Sequence, residues 1–128
     1  MKKILLLFIF FSLHFVNAQQ NKNSLIGKWI GVSGENVTGG IEFSINKTAK
    51  LLIKDKELSV KEYEVDYSKN PIWVDLIVEK NGQTFTLFGL AEFVDAKTIK
   101  WEIFPTRNKR ISFTGTDKYY NTVILKKQ

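Results

Sequence analysis

The sequence predicts an all-β fold, an antiparallel up-and-down barrel of eight to nine strands. Apolar and polar residues alternate along nearly the whole chain after Gly27, and a period of two fits them better than the helical period of about 3.6. Turn-forming residues recur between these stretches, which indicates short connections. A meander of this length protects its edges best by closing into a barrel, and a two-sheet sandwich is the open alternative.

The first eighteen residues have the three zones of a secretory signal peptide. Lys2 and Lys3 give a positive start, residues 4–11 are an unbroken apolar run, and residues 16–18 end in short side chains suited to cleavage. The apolar run is too short to span a bilayer comfortably, which disfavours the alternative of a membrane anchor. We therefore expect cleavage after Ala18 and a secreted or periplasmic protein. The chain has no Cys, so a lipoprotein anchor is not expected.

The domain expected over residues 27–127 follows a polar lead-in at residues 19–26, of which residues 19–24 are predicted to be loose. In the first half of the domain, the alternation slips by one residue at Lys61-Glu62, which predicts a β-bulge. In the second half, Asn81-Gly82 predicts a tight hairpin. Strands are expected around residues 29–32, 41–45, 51–53, 60–67, 72–78, 85–93, 99–103, 111–113 and 123–125.

One face of the longest expected strand is formed by five residues at alternate positions. They are Phe85, Leu87, Gly89, Ala91 and Phe93. A glycine in the middle of a strand fits a barrel, in which a strand has to bend sharply.

Gly27-Lys28-Trp29 resembles the Gly-x-Trp signature of lipocalin and wider calycin barrels. The segments 63–66, 68–71 and 74–76, together with the later residues 110–113 and 123–127, are similar to a small family of secreted bacterial lipocalin-like proteins. The resemblance implies an eight-stranded barrel, here without a long C-terminal helix. It also implies a basic residue covering Trp29, either Arg110 or Lys126. The structural signature residues are Gly27, Trp29, Asp66 and Pro71.

The residue types present argue against an enzyme. There is no Cys, and the only His, His14, lies in the expected signal peptide, so catalysis by a serine or cysteine with a histidine partner is excluded from the mature chain. Metal and haem sites that rely on imidazole or thiolate are excluded as well, and no cofactor or metal is expected. A carboxylate pair among Asp75, Glu92 and Glu102 would be needed for glycoside hydrolysis or calcium binding. Charged residues on alternating strands are normally solvated, and only Asp75 is expected to accept a hydrogen bond, from a turn or from Arg110.

The aromatic content and the lipocalin resemblance favour binding of a small apolar or amphipathic ligand in or at the mouth of the barrel. Some aromatic residues, Trp73 and Trp101 above all, fit a core role equally well. The alternative function is a protein-binding module, of the exported inhibitor or immunity type, with a filled barrel. The candidate ligand-binding residues are Tyr63, Trp73, Asp75, Phe88, Trp101 and Arg110.

Charge adds little about partners. Loss of Lys2 and Lys3 lowers the formal net charge from +6 to +4, which favours solubility and names no partner. The basic segment at residues 107–110 is expected to be a solvated loop and not a nucleic-acid site. We expect a monomer that does not insert stably in a membrane after cleavage.

Overall fold

The computed structural model describes residues 24–33, 36–53, 56–115 and 121–128. They form a closed barrel of eight antiparallel strands in sequence order, which confirms the predicted fold class. The strands are β1 (Gly27–Ser33), β2 (Asn36–Phe43), β3 (Ala49–Ile53), β4 (Lys56–Asp66), β5 (Ile72–Lys80), β6 (Gln83–Asp95), β7 (Thr98–Phe104) and β8 (Val123–Lys127). The expected signal peptide lies outside the described residues. None of the helices in the described ranges is long and apolar enough to cross a membrane.

Two local predictions about strand pairing are confirmed. Lys80 pairs with Gln83 across the turn formed by Asn81 and Gly82, whose φ angles of 54° and 75° suit a tight hairpin. The pairing of β4 with β5 shifts register between Val60 and Glu62, at the predicted bulge. The hydrophobic alternation and the turn residues thus set the register of this half of the barrel.

The prediction of a ninth strand at residues 111–113 is wrong. The chain between β7 and β8, described over residues 105–115 and 121–122 and here called the long connection, contains a short 3-10 helix at Arg107–Lys109. Within it Ile111 is 80% exposed, whereas Arg110 is buried. The apolar alternation fails here because the Arg110 side chain is held against the outer wall of the barrel.

The long connection covers the outer face of β6 and β7. Leu90 and Phe104 alternate with inward-facing residues, so they lie on the outer face. Both are nevertheless buried, and so is Glu102. The barrel wall therefore has a second, smaller buried layer on its outside.

Aromatic rings fill the centre of the barrel. Phe43 meets the Tyr63 ring edge-to-face at 4.9 Å and the Trp101 ring at 6.0 Å, and Trp29 meets Phe93 at 6.1 Å. Such edge-to-face contacts stabilise aromatic pairs beyond their buried area. The remaining buried members of this core are Leu25, Ile41, Ala49, Leu51, Val60, Val74, Leu76, Val78, Ala91, Ile99 and Leu125.

Gly89 lies beneath the Trp101 indole. A Cβ at this position would lie 2.8 Å from Cη2 of Trp101 and 3.1 Å from the carbonyl oxygen of Val74. The glycine is thus required by the close approach of a ring, in addition to any bend of the strand. Phe85 shares the face of Gly89, as predicted, and lies near the start of β6 with 40% of its surface exposed.

One end of the barrel, here called the closed end, is sealed by the chain before β1. Leu25 is fully buried, its carbonyl oxygen accepts a hydrogen bond from Nε1 of Trp29 at 2.8 Å, and its N–H donates to the Tyr67 hydroxyl at 3.1 Å. Leu25, within the expected lead-in segment 19–26 but beyond the part expected to be loose, therefore belongs to the core. Residues 19–23 lie outside the described residues.

The basic residue over Trp29 is Lys127, and the expectation of Arg110 or Lys126 is wrong. Nζ of Lys127 lies 5.5 Å from the centre of the Trp29 ring, and the two residues are direct partners across β1 and β8. Lys126 points to the other face, where its Nζ donates to Oγ1 of Thr98 at 3.0 Å. Arg110 lies in the long connection, on the outside of the wall.

Candidate functional site

The barrel wall separates the six candidate ligand-binding residues. Tyr63 and Trp101 are buried in the interior core. The outer-wall group is formed by Trp73, Asp75, Phe88 and Arg110, whose strand members alternate with inward residues such as Val74 and Leu76. No single cavity therefore collects all six, and a shared ligand site for them is not formed.

Arg110 is the centre of the outer-wall group. Its guanidinium forms an ion pair with the Asp75 carboxylate and lies 4.3 Å from the Trp73 ring centre and 5.2 Å from that of Phe88. The Arg110 side chain is only 2% exposed. The expectation that Asp75 accepts a hydrogen bond from Arg110 is confirmed, and the expectation of a solvated basic loop is wrong at Arg110. Arg107 and Lys109, in contrast, are exposed.

A groove of about 200 Å³ lies beside this group on the outer face of β4 and β5. Asp66 is one of its three carboxylates and accepts hydrogen bonds from the Ser68 hydroxyl and N–H. The hydroxyl bond first, and then the N–H bond, lower the pKa of Asp66. Nζ of Lys69 lies 4.8 Å from the Trp73 ring centre. The groove is lined by Glu64, Val65, Asp66, Trp73 and Asp75.

These carboxylates do not form a metal centre. Across the described ranges, the ligating side chains nowhere gather in a group of three or more that could hold a metal ion. Asp66 caps the turn after β4, and Asp75 is engaged by Arg110. The carboxylates of Asp66 and Asp75 in this groove therefore stabilise the turn after β4 and hold the long connection against the barrel wall.

Tyr63 is held inside the barrel by its hydroxyl. The hydroxyl donates to the carbonyl oxygen of Ser44 at 2.7 Å, and the Tyr63 N–H donates to the carbonyl oxygen of Lys47 at 2.9 Å. Burial raises the pKa of Tyr63, and the neighbouring Tyr67 raises it further. The ring thus belongs to the packed core, and its predicted role in ligand binding stays a prediction.

A second cavity, of about 210 Å³, lies at the open end of the barrel, where β3 and β7 finish and β2 and β8 begin. We call it the mouth cavity. Trp101 is the one candidate ligand residue that reaches it. The lining residues are Gly39, Gly40, Leu51, Leu52, Ile53, Trp101, Glu102, Ile103, Asn121 and Val123.

The alternation of apolar and polar residues in β3 and β8 is the sequence feature that could have indicated this cavity. Leu51 and Val123 both contribute to the inward side, at strand ends that an up-and-down barrel brings to the same mouth. The candidate set did not include them, because aliphatic residues at inward positions fit a core equally well.

Glu102 belongs to the wall beside the mouth cavity, and its side chain points to the outer face of β7. It is 2% exposed, and its Oε1 accepts hydrogen bonds from the Thr114 N–H at 2.9 Å, the Thr114 hydroxyl at 2.8 Å and the Thr122 hydroxyl at 2.6 Å. The expectation that carboxylates on alternating strands are solvated is therefore wrong for Glu102. The long connection passes over the outer face of β7 and removes this carboxylate from water.

Comparison of the chain with protein-family models, with curated proteins and with solved structures gives no match in any of the three. The lipocalin-like resemblance and the functions it implies therefore stay predictions. A function for this chain has to be inferred from the geometry of the groove and the cavity described above.

Proposed function

We propose that this protein binds a small apolar or amphipathic ligand whose apolar part enters the mouth cavity. The observation that carries the proposal is a space of about 210 Å³, lined mainly by aliphatic side chains and by Trp101, at the open end of the barrel. Concave sites lined by apolar side chains with a few polar groups are the usual form of small-molecule sites. The signal-peptide pattern and the lipocalin resemblance support an exported binding protein of this kind.

The size of the cavity limits the ligand. A volume of 210 Å³ holds roughly seven groups the size of a water molecule, at about 30 Å³ each. Below the cavity, the rings of Phe43, Tyr63 and Trp101 occupy the centre of the barrel. The ligand that fits is therefore a short chain of about six carbons or a small ring, entering end-on.

Calorimetric titration of hexan-1-ol into the purified protein tests the proposal. Burial of an apolar chain contributes about 0.8 kcal/mol per methylene, so six carbons should give saturable binding with a Kd of about 1 mM or below. Val123→Phe fills the cavity and should weaken binding by about tenfold or more. The matched control is Ile124→Phe, since Ile124 is the next residue of β8 and is exposed on the outer face.

Binding that is saturable, weakened by Val123→Phe and unchanged by Ile124→Phe supports the proposal. Near-ultraviolet circular dichroism confirms that each variant keeps its tertiary packing. Absence of binding by a folded protein contradicts the proposal and favours the alternative of a protein-binding module with a filled barrel.

A further inference from the structure

We infer that the closed end of the barrel docks reversibly on an anionic lipid bilayer. The observation that supports this inference is a repeated pair of side chains, one exposed apolar residue and one exposed lysine, at each of the three turns of that end. The inference is independent of the proposed function, because the mouth cavity lies at the opposite end of the barrel and would face the aqueous phase.

The apolar residues of these pairs are Ile45, Tyr67 and Val94, which lie in or beside the turns after β2, β4 and β6. Alternate connections of an up-and-down barrel lie at the same end, and the Tyr67 hydroxyl meets the N–H of Leu25 there. Ile45 is 84% exposed, Val94 56% and Tyr67 46%. A single exposed apolar residue is ordinary, whereas one at every turn of the same end indicates a surface with a binding partner.

An exposed lysine follows each apolar residue two or three positions later, as Lys47, Lys69 and Lys97. The last two residues of the strands at this end add four more lysines, Lys28, Lys50, Lys126 and Lys127. The carboxylates of the same turns and strand ends are those of Glu42, Asp66, Asp95 and the C-terminus. Among the described residues, the closed end therefore has an excess of three positive charges, which complements the negative surface of an anionic bilayer.

The three turns are ordered by hydrogen bonds from their own backbone. Asp66 accepts the Ser68 N–H at 3.0 Å, Asp95 accepts the Lys97 N–H at 2.8 Å, and the Asn46 side chain accepts a backbone N–H in the first turn at 3.2 Å. The apolar residues and the lysines are thus presented by turns that are already fixed, so docking costs little conformational entropy.

The arrangement favours a bilayer over a protein partner. The apolar residues lie on separate turns with lysines beside them, whereas the buried core of a protein–protein interface is depleted of lysine. Apolar side chains that enter the headgroup region, next to lysines that meet anionic lipids, are typical of proteins that lie on a membrane surface. Tyr67 fits the same surface, because tyrosine is enriched at membrane–water interfaces.

Co-sedimentation with lipid vesicles tests the inference. The probes are vesicles of phosphatidylcholine alone and vesicles in which about one-third of the lipid is phosphatidylglycerol. The unsubstituted protein should bind the mixed vesicles about tenfold or more tightly than phosphatidylcholine alone. Raising the salt concentration from about 0.05 M to about 0.5 M should release most of the bound protein, because it screens the lysines.

Two double variants with the same change of net charge locate the docking surface. Lys47→Gln with Lys97→Gln removes two charges from the closed end, and it should weaken binding by about tenfold or more. Lys56→Gln with Lys80→Gln removes two exposed lysines from the strand ends at the mouth, and it should change binding by no more than about twofold. All four lysines are exposed, so neither double variant disturbs the core.

A second matched pair tests the apolar contact. Ile45→Ser should weaken binding to the mixed vesicles by about tenfold, because Ile45 loses the apolar surface that enters the headgroup region. Ile111→Ser is the control, since Ile111 is 80% exposed but lies in the long connection, and it should leave binding unchanged.

Vesicle binding that is weakened only by the closed-end substitutions supports the inference. It is overturned if the protein does not bind the mixed vesicles, or if the two lysine double variants are weakened equally, which would indicate attraction through total charge alone. Unchanged binding of both the closed-end double variant and Ile45→Ser would assign the contact to another segment and overturn it as well. Sedimentation velocity without vesicles adds one further outcome, because a dimer that is lost in Ile45→Ser would show that a second copy covers this end.

Discussion

Asp75 and Arg110, which are 35 residues apart in the chain, form an ion pair on the outside of the barrel wall. The Arg110 side chain is almost fully buried, whereas Asp75 is about one-third exposed. The guanidinium also lies against Trp73 and Phe88, and its Nε atom is buried with no hydrogen-bond partner among the residues described. The pair therefore fastens the long connection to β5, and the cost of burying Arg110 is met mainly through Asp75.

Asp75→Ala should destabilise the fold by about 1–3 kcal/mol, because it leaves a buried guanidinium without its carboxylate. Arg110→Met, which keeps an unbranched chain over Trp73 and Phe88 and removes the charge, should cost less. Urea denaturation followed by circular dichroism measures both free energies of unfolding.

The exposed pair of Lys61 and Glu79 provides the control for this comparison. Glu79→Ala should change the free energy of unfolding by no more than about 0.5 kcal/mol, as expected for a solvated ion pair. If Asp75→Ala behaves like Glu79→Ala, the buried pair does not fasten the long connection.

Gly89→Ala should destabilise the barrel by about 1–3 kcal/mol, because its Cβ would be forced against the Trp101 ring and the Val74 carbonyl. Trp101→Phe shortens the ring and should relieve part of this clash. A double-mutant cycle of the two substitutions, measured by thermal or urea unfolding, should show that the double variant is more stable than the sum of the single effects predicts. If the effects of the two substitutions on stability are strictly additive, contact with the Trp101 indole is not the reason that position 89 requires glycine.

Tyr63 should make the barrel sensitive to alkaline pH. Its pKa is raised above 10.0 in the folded state, so its contribution to stability is complete below about pH 10 and is lost as the pH rises beyond that value. Tyr63→Phe should cost about 1 kcal/mol at pH 7 through loss of the hydrogen bond to Ser44. Its free energy of unfolding should also fall less than that of the unsubstituted protein between pH 9 and pH 11. Parallel pH profiles would contradict this role of Tyr63.

Asp66 should contribute the opposite pH dependence. Its pKa is lowered from 3.8 by the hydrogen bonds from Ser68, so its contribution is present above about pH 4 and is lost as the pH falls through the folded-state pKa. Asp66→Asn keeps an acceptor oxygen for Ser68 and removes the titrating group. Between pH 5 and pH 2, the unsubstituted protein should therefore lose stability more steeply than Asp66→Asn. Equal slopes would show that the turn does not depend on this ionisation.

The regular part of the fold could be predicted from the sequence because its determinants are local. Alternation places Val74 and Leu76 on one face of β5, and Asn81-Gly82 provides the turn that begins β6. Lys127 could also have been identified as the residue over Trp29, since it lies two positions after the inward Leu125 and so shares its face.

The environment of Glu102 could not be predicted in this way. Alternation correctly places this residue on the outer face, but it cannot show that an irregular segment covers that face. The burial of Glu102 and Arg110 depends on where residues 105–115 and 121–122 cross the wall, and this is set by non-local contacts such as those with Asp75 and Thr122. The mouth cavity could not be predicted either. Its size depends on how much of the barrel interior the central aromatic rings fill, and this too is set by non-local packing.

Binding of a small ligand at the open end of an otherwise filled barrel can be observed atom by atom. Isotope-filtered nuclear Overhauser spectra of the protein with hexan-1-ol identify the side chains that touch the bound tail. We expect contacts from the tail to the methyl groups of Leu51, Ile103 and Val123. Contacts only to exposed residues away from the mouth, such as Ile45 or Val94, or no contacts at saturating probe, would refute binding in the mouth cavity.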